Sequence, residues 1–125
     1  ILMGDFNSLS PHDPYDQEQL LRIFRTHRLT KFGVDAIRFD CIEMLESNGF
    51  MDVMHILKKP FCATVPTPIN TDAAHLAPLR LDYMFVSDGL TPFLTDVQVI
   101  RNAQTDRASD HYPIILDIVL HFLPV

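Results

Sequence analysis

The sequence predicts an α/β (α+β) fold, with two helices covering one face of a β-sheet of four or five strands. Three observations predict it. Residues 16–30 and 35–47 carry apolar side chains at helical spacing. Strand-like runs stand at the start of the chain and throughout its last third. The final run, Ile114-Ile115-Leu116-Asp117-Ile118-Val119-Leu120, is apolar on both alternating sets, the pattern of a strand covered on both faces.

The elements follow in order. Ile1-Leu2-Met3 reads as the end of a strand, and Gly4 allows a turn that leaves Asp5 and Asn7 facing out at its tip. Residues 8–15, with Pro11 and Pro14, form a loop. The first helix is expected to open at Asp16, whose spacing to Gln19 suits a capping box, and to carry Leu20, Ile23, Phe24 and His27 inward. A second helix from near Asp35 places Ile37, Cys41, Met44 and Leu45 on one stripe. It stops at Ser47-Asn48-Gly49, where Gly49 suits the left-handed conformation. Residues 50–57 fit a short helix or a strand equally well. Thr64-Val65-Pro66-Thr67-Pro68 opens an extended, aperiodic loop over residues 63–78, a rigid connector or a recognition loop. Strands are expected over 79–86, 95–100 and 112–121, with turns at Ser87-Asp88-Gly89 and 102–108.

Composition narrows the function. A chain of 125 residues with 47% apolar content supports one domain with a real core, which excludes disorder. No apolar run reaches the roughly 18 to 20 residues of a membrane-spanning helix. Cys41 and Cys62 are too few for a disulfide framework and read as buried thiols, and Cys62, His55 and His75 lack the spacing of a metal site. The net charge of −6 argues against a simple nucleic-acid binder, because affinity for a phosphate backbone comes from Lys and Arg. Arg22, Arg25, Arg28 and Lys31 fit a solvated helix face as well as a groove, and His12, His27, His55, His75 and His121 read as surface or packing residues.

The chemistry lies in three short motifs at strand ends: Gly4-Asp5-Phe6-Asn7, Leu81-Asp82-Tyr83, and Ser109-Asp110-His111-Tyr112-Pro113. Asp82 stands between apolar neighbours, so its carboxylate needs a partner, and His111 is the natural one. Together Asp5, Asn7, Asp82, Asp110 and His111 suit a site that binds a divalent cation and attacks a phosphate ester, since hard oxygens hold magnesium and an imidazole held by a carboxylate supplies a donor or a base. In this order and spacing the three motifs resemble the endonuclease/exonuclease/phosphatase family, the deoxyribonuclease I-like fold. The resemblance covers nearly the whole chain but only the C-terminal half of the family's domain.

That resemblance implies a mixed β-sheet with helices on one face, half of a four-layer α/β sandwich. The missing half supplies a metal-binding Glu, an Asn and usually a second His. Ile1 enters a strand at once, so residues 1–125 are expected to be a fragment. The resemblance implies Asp5, Asn7, Asp82 and His111 as catalytic residues and Asp110 as the metal ligand. By the same resemblance Asp82 would fix the His111 tautomer, His111 would contact the scissile phosphate, and Asp5 would orient or deprotonate the attacking water. Asn7 holds that water or donates to the phosphoryl oxygen, and Ser109 is a turn residue. The cofactor implied is Mg²⁺, with Mn²⁺ an alternative. The substrate implied is a phosphate ester in a nucleic acid, a phospholipid headgroup or a small molecule. Two readings stand: a Mg²⁺-dependent phosphoesterase, or a catalytically incomplete half-domain that folds and self-associates. An uncovered sheet face predicts a homodimer through that face.

Overall fold

The computed structural model describes residues 1–119. Strand β3 (Asp82–Ser87) takes the centre of a three-stranded sheet, flanked by β1 (Leu2–Asp5) and β2 (Phe50–Asp52) in the order β1-β3-β2. Both pairings are antiparallel; Asp5 stands opposite Asp82 and Gly4 opposite Tyr83 on one side, and Asp52 opposite Phe85 on the other. A second antiparallel pair joins β4 (Leu94–Val99) to β5 (Ile114–Ile118), with an irregularity between Leu94 and Asp96. The expected single mixed sheet is thus two antiparallel sheets among the described residues. Between β3 and β4 the chain winds through a 3₁₀ segment, Asp88–Phe93, that contains Pro92. After this segment β4 does not pair with β3 but with β5.

Helix α1 (Gln17–Thr26) begins where its cap predicts: Asp16 Oδ1 accepts from the Gln19 N–H at 2.9 Å. Leu20 and Phe24 are buried, and the Phe24 and Phe32 rings lie 5.2 Å apart, but His27 ends the helix exposed rather than inward. Helix α2 (Asp40–Ser47) starts five residues later than the sequence suggests. Gly33, at φ 121°, makes a turn so close that a Cβ there would sit 1.9 Å from the Ala36 carbonyl oxygen, and the Arg38 N–H donates to Phe32 O at 2.9 Å. Ile37 is buried by that turn rather than by a helix, and the buried side of α2 rotates to Ile42, leaving Met44 exposed. Gly49 takes φ 80°, as expected of a helix-ending glycine.

Residues 50–57 resolve into both alternatives. β2 runs directly into α3 (Val53–Ile56), and Asp52 Oδ1 caps it by accepting from Met54 N–H at 3.1 Å. The helices are not confined to one face. Tyr83 and Phe85 of β3 form a core with Ile42 of α2, whereas Val86 joins Val53 and Met54 of α3 and Val97 of β4. In β5, Ile115 and Asp117 are exposed, so this strand is covered on one side only among the described residues, not on both. Leu120 and His121, expected to end that strand, lie outside the described residues. Cys41 and Cys62 are free and half-buried rather than buried.

Arg80 holds these parts together. It is 2% exposed, and its guanidinium donates to Asp52 at 2.6 and 3.0 Å and to Asp13 at 3.0 and 3.1 Å, 4.3 Å above the Tyr83 ring. Burial disfavours its charge, but the hydrogen bonds and charges of Asp52 and Asp13 outweigh that and hold its pKa above the ordinary arginine value. Its backbone N–H donates to the Tyr15 hydroxyl at 2.9 Å, and the single proton of the Tyr83 hydroxyl is shared between Arg80 O and Ser8 O, each 2.9 Å away. Asp52→Ala is expected to cost about 3–5 kcal/mol, because it leaves a buried cation half-compensated. Urea unfolding checks it, and a loss below about 1 kcal/mol would overturn this account of the network.

Candidate active site

The β1–β3 register brings Asp5 and Asp82 side by side, and the Phe6 N–H extends the pairing to Leu81 O at 2.9 Å. The chain turns away at Asn7, φ 49°, and not at Gly4, which pairs within the strand. Asparagine tolerates this left-handed conformation, and the Asn7 N–H donates to Asp5 Oδ1 at 2.7 Å. Lys31 Nζ donates to Asn7 Oδ1.

His111 Nδ1 lies 2.8 Å from Asp82 Oδ2, with both side chains partly exposed. A carboxylate only accepts, so Nδ1 carries the proton and Nε2 is left for another partner. Thr64 sets this pair. Its hydroxyl accepts from the backbone N–H of Leu81 at 3.0 Å and of Asp82 at 3.2 Å, while its carbonyl accepts from Tyr112 N–H at 2.8 Å. Thr67 adds a second tie, donating through Oγ1 to Ser109 O at 2.7 Å and through N–H to Asp110 O at 3.4 Å. Ser109 Oγ accepts from His111 N–H at 3.1 Å, which makes it a turn-forming residue. The proline-rich loop is therefore both a connector and the strap that fixes Asp82 against His111.

Two groups of possible metal ligands share His111. Asp5, Asp82 and His111 offer atoms within 4.8 Å of one another, and so do His75, Asp110 and His111. Of the five residues singled out by sequence, Asp5, Asp82 and His111 converge, and Asn7 joins them through Asp5. Asp110 falls in the other group. Two adjacent carboxylates repel each other until a cation enters, so the donor chemistry at Asp5 and Asp82 fits a hard divalent ion such as Mg²⁺. Beside them opens a hollow of about 480 Å³, walled by Met3, Met84, Tyr112 and Ile114 with Asp82 and His111 at its edge.

A model of the Endonuclease/Exonuclease/phosphatase family matches residues 1–111. The chain belongs to this family. Its members are, in general, metal-dependent phosphoesterases. No curated protein matches the chain. No helix among the described residues is long and apolar enough to cross a membrane.

Two residues beside the candidate site were not placed there by the sequence. Lys31 is not on the face of α1; the helix ends at Thr26, and Lys31 stands in the following turn, where it reaches Asn7. The signal was Gly33, which stops a helix from continuing past Lys31. His75 is a packing residue, one of the two alternatives the sequence leaves open, and it is not grouped with Cys62 and His55. It is 5% exposed, its ring centroid lies 5.0 Å from that of His111, and burial pulls its pKa below the ordinary 6.5. Nothing in its local spacing marks it, because its neighbours come from the end of the chain.

Thr64→Val leaves two backbone N–H groups without their acceptor, and an expected destabilisation of about 1–3 kcal/mol follows. The His111 Nδ1 proton signal, seen by imidazole nitrogen NMR, is expected to weaken or exchange faster as Asp82 loses its anchor. A variant with unchanged stability and an unchanged His111 signal would show that the loop does not set the pair.

Proposed function

We propose that this chain carries the hydrolytic half-site of a Mg²⁺-dependent phosphoesterase, which cleaves a phosphodiester or phosphomonoester by in-line attack of water. The observation that carries the reading is the 2.8 Å pairing of His111 with Asp82 beside Asp5. Asp82 keeps the His111 proton on Nδ1, so Nε2 serves the phosphate. Asp5 orients the attacking water or takes its proton. The Asn7 Oδ1 is engaged by Lys31, which favours its Nδ2 as a donor to the phosphoryl oxygen as negative charge builds there. Lys31 adds positive charge to that side of the site. Asp110 is the metal ligand of this reading, Asp5 and Asp82 offer further oxygens, and Mn²⁺ is the alternative ion. The bound ion would neutralise phosphate charge and favour ionisation of water.

The substrate class stays a phosphate ester, in a nucleic acid, a phospholipid headgroup or a small molecule. A second reading has a specific observation behind it. The hollow at Met3, Met84 and Ile114, with exposed Leu2 and Ile115 elsewhere on the two sheets, supports a C-terminal half-domain of the four-layer sandwich that lacks its covering half. On that reading the metal-binding Glu comes from the other half, and the chain alone folds without turnover.

Hydrolysis of a chromogenic aryl phosphodiester with Mg²⁺ or Mn²⁺ separates the two. Under the first reading Asp5→Ala and His111→Ala are each expected to lower the rate by about 10²–10⁴-fold. Metal-independent turnover, or turnover untouched by both substitutions, would overturn it. The apolar face is expected to pair two copies of the chain at micromolar concentration, and a monomeric mass in light scattering would defeat that expectation.

A further inference from the structure

We propose that His75, Asp110 and His111 form a binding site for a borderline transition-metal cation, Zn²⁺ being the best fit, next to the hard-oxygen cluster of Asp5 and Asp82. One donor atom from each of the three lies within 4.8 Å of the others. Tetrahedral zinc with bonds of about 2.0–2.1 Å holds its ligand atoms about 3.3 Å apart, so side-chain rotations close the set.

The hydrogen bonds around both imidazoles fix which nitrogen is free. Asn70 is locked by its own turn, with Oδ1 accepting from Asp72 N–H at 3.2 Å and Nδ2 donating to Asp72 O at 3.1 Å. Its Oδ1 faces His75 Nδ1 at 3.0 Å, so Nδ1 is the donor and the neutral ring keeps a lone pair on Nε2. Asp72 Oδ2 stands 3.6 Å from that same Nε2. A buried lone pair thus faces a carboxylate with no proton assigned between them. His111 repeats the arrangement, its Nδ1–H given to Asp82 and its Nε2 left over. Outer N–H groups held by oxygen acceptors are how metal-bound histidines are oriented and made more basic.

Two imidazoles and a carboxylate select zinc or cobalt over magnesium, which demands a near-octahedral shell of oxygens. Water would complete the shell. The ties from Thr67 to Ser109 and Asp110 hold the His75 loop against the Asp110-His111 turn, so little ordering remains for the metal to impose. One consequence rests on the phosphoesterase reading: Zn²⁺ here would occupy Asp110 and the His111 nitrogen that serves the phosphate, and so would inhibit.

The test uses the full chain stripped of metal by a chelator, with Co²⁺ as an optical probe and Zn²⁺ as competitor. One equivalent of Co²⁺ is expected, with the intense visible bands of a four-coordinate site, displaced by Zn²⁺ but not by excess Mg²⁺. His75→Gln is expected to weaken binding by about 100-fold or more, since loss of an outer partner alone costs about 10–100-fold. Should that variant not fold, imidazole nitrogen NMR of the unaltered chain decides: Zn²⁺ is expected to shift His75 and His111 and to leave His12, His27 and His55 in place. Absence of binding, a folded His75→Gln chain that binds as before, displacement by Mg²⁺, or shifts at His12 or His55 would each overturn the site. Asp5→Ala is expected to keep Co²⁺ binding. Because the readout is binding, a chain without phosphoesterase turnover tests the site just as well.

Discussion

The rest of the structure depends on a single buried cation. Arg80, two residues before β3, lies between two carboxylates, Asp13 from the loop over residues 8–15 and Asp52 from the β2–α3 junction, and it rests on the ring of Tyr83. Buried ion pairs add little net stability against apolar substitutes, but half of one is costly. The network therefore works mainly as a register lock. A one-residue slip of β3 would move Arg80 from its carboxylates into apolar surroundings and turn Asp82 from its site. The same guanidinium joins three segments that lie far apart in the chain.

The second constraint is Thr64. A hydroxyl that accepts two backbone N–H groups at the start of β3, on a residue whose carbonyl holds Tyr112, couples the Asp82 strand to the Asp110-His111 turn. Both motifs are displayed at strand ends, where side chains are free to meet a substrate but are poorly held by their own element. A rigid loop tied to both supplies what strand ends lack, a shell that fixes the first contacts. The orientation of His111 depends on it, since an imidazole out of line with Asp82 loses the acceptor that fixes its tautomer.

His111 is also where two ligand groups meet, one of carboxylates and one that adds the buried His75. A hard ion and a borderline ion prefer different halves of this arrangement. With a net charge of −6, the chain attracts cations of both kinds, and Lys31 against Asn7 is a positive charge beside the acidic groups.

The sequence by itself determined the local chemistry: the Asp16 cap of α1, the left-handed Gly49, the three motifs, and the demand that Asp82 find a partner in His111. Each is legible because it is set by neighbours within a few residues, or because an isolated carboxylate among apolar side chains costs too much to stand alone. Only the tertiary structure decided strand direction, the rotation of α2 onto Ile42, the separation of Asp110 from Asp5 and Asp82, and the burial of His75 beside His111. An alternating apolar pattern is the same for parallel and antiparallel neighbours. A histidine in a loop has no period at all, so its role was fixed by residues about thirty-five positions away in the chain, which meet it only when Thr64 and Thr67 draw the loop onto the last strand.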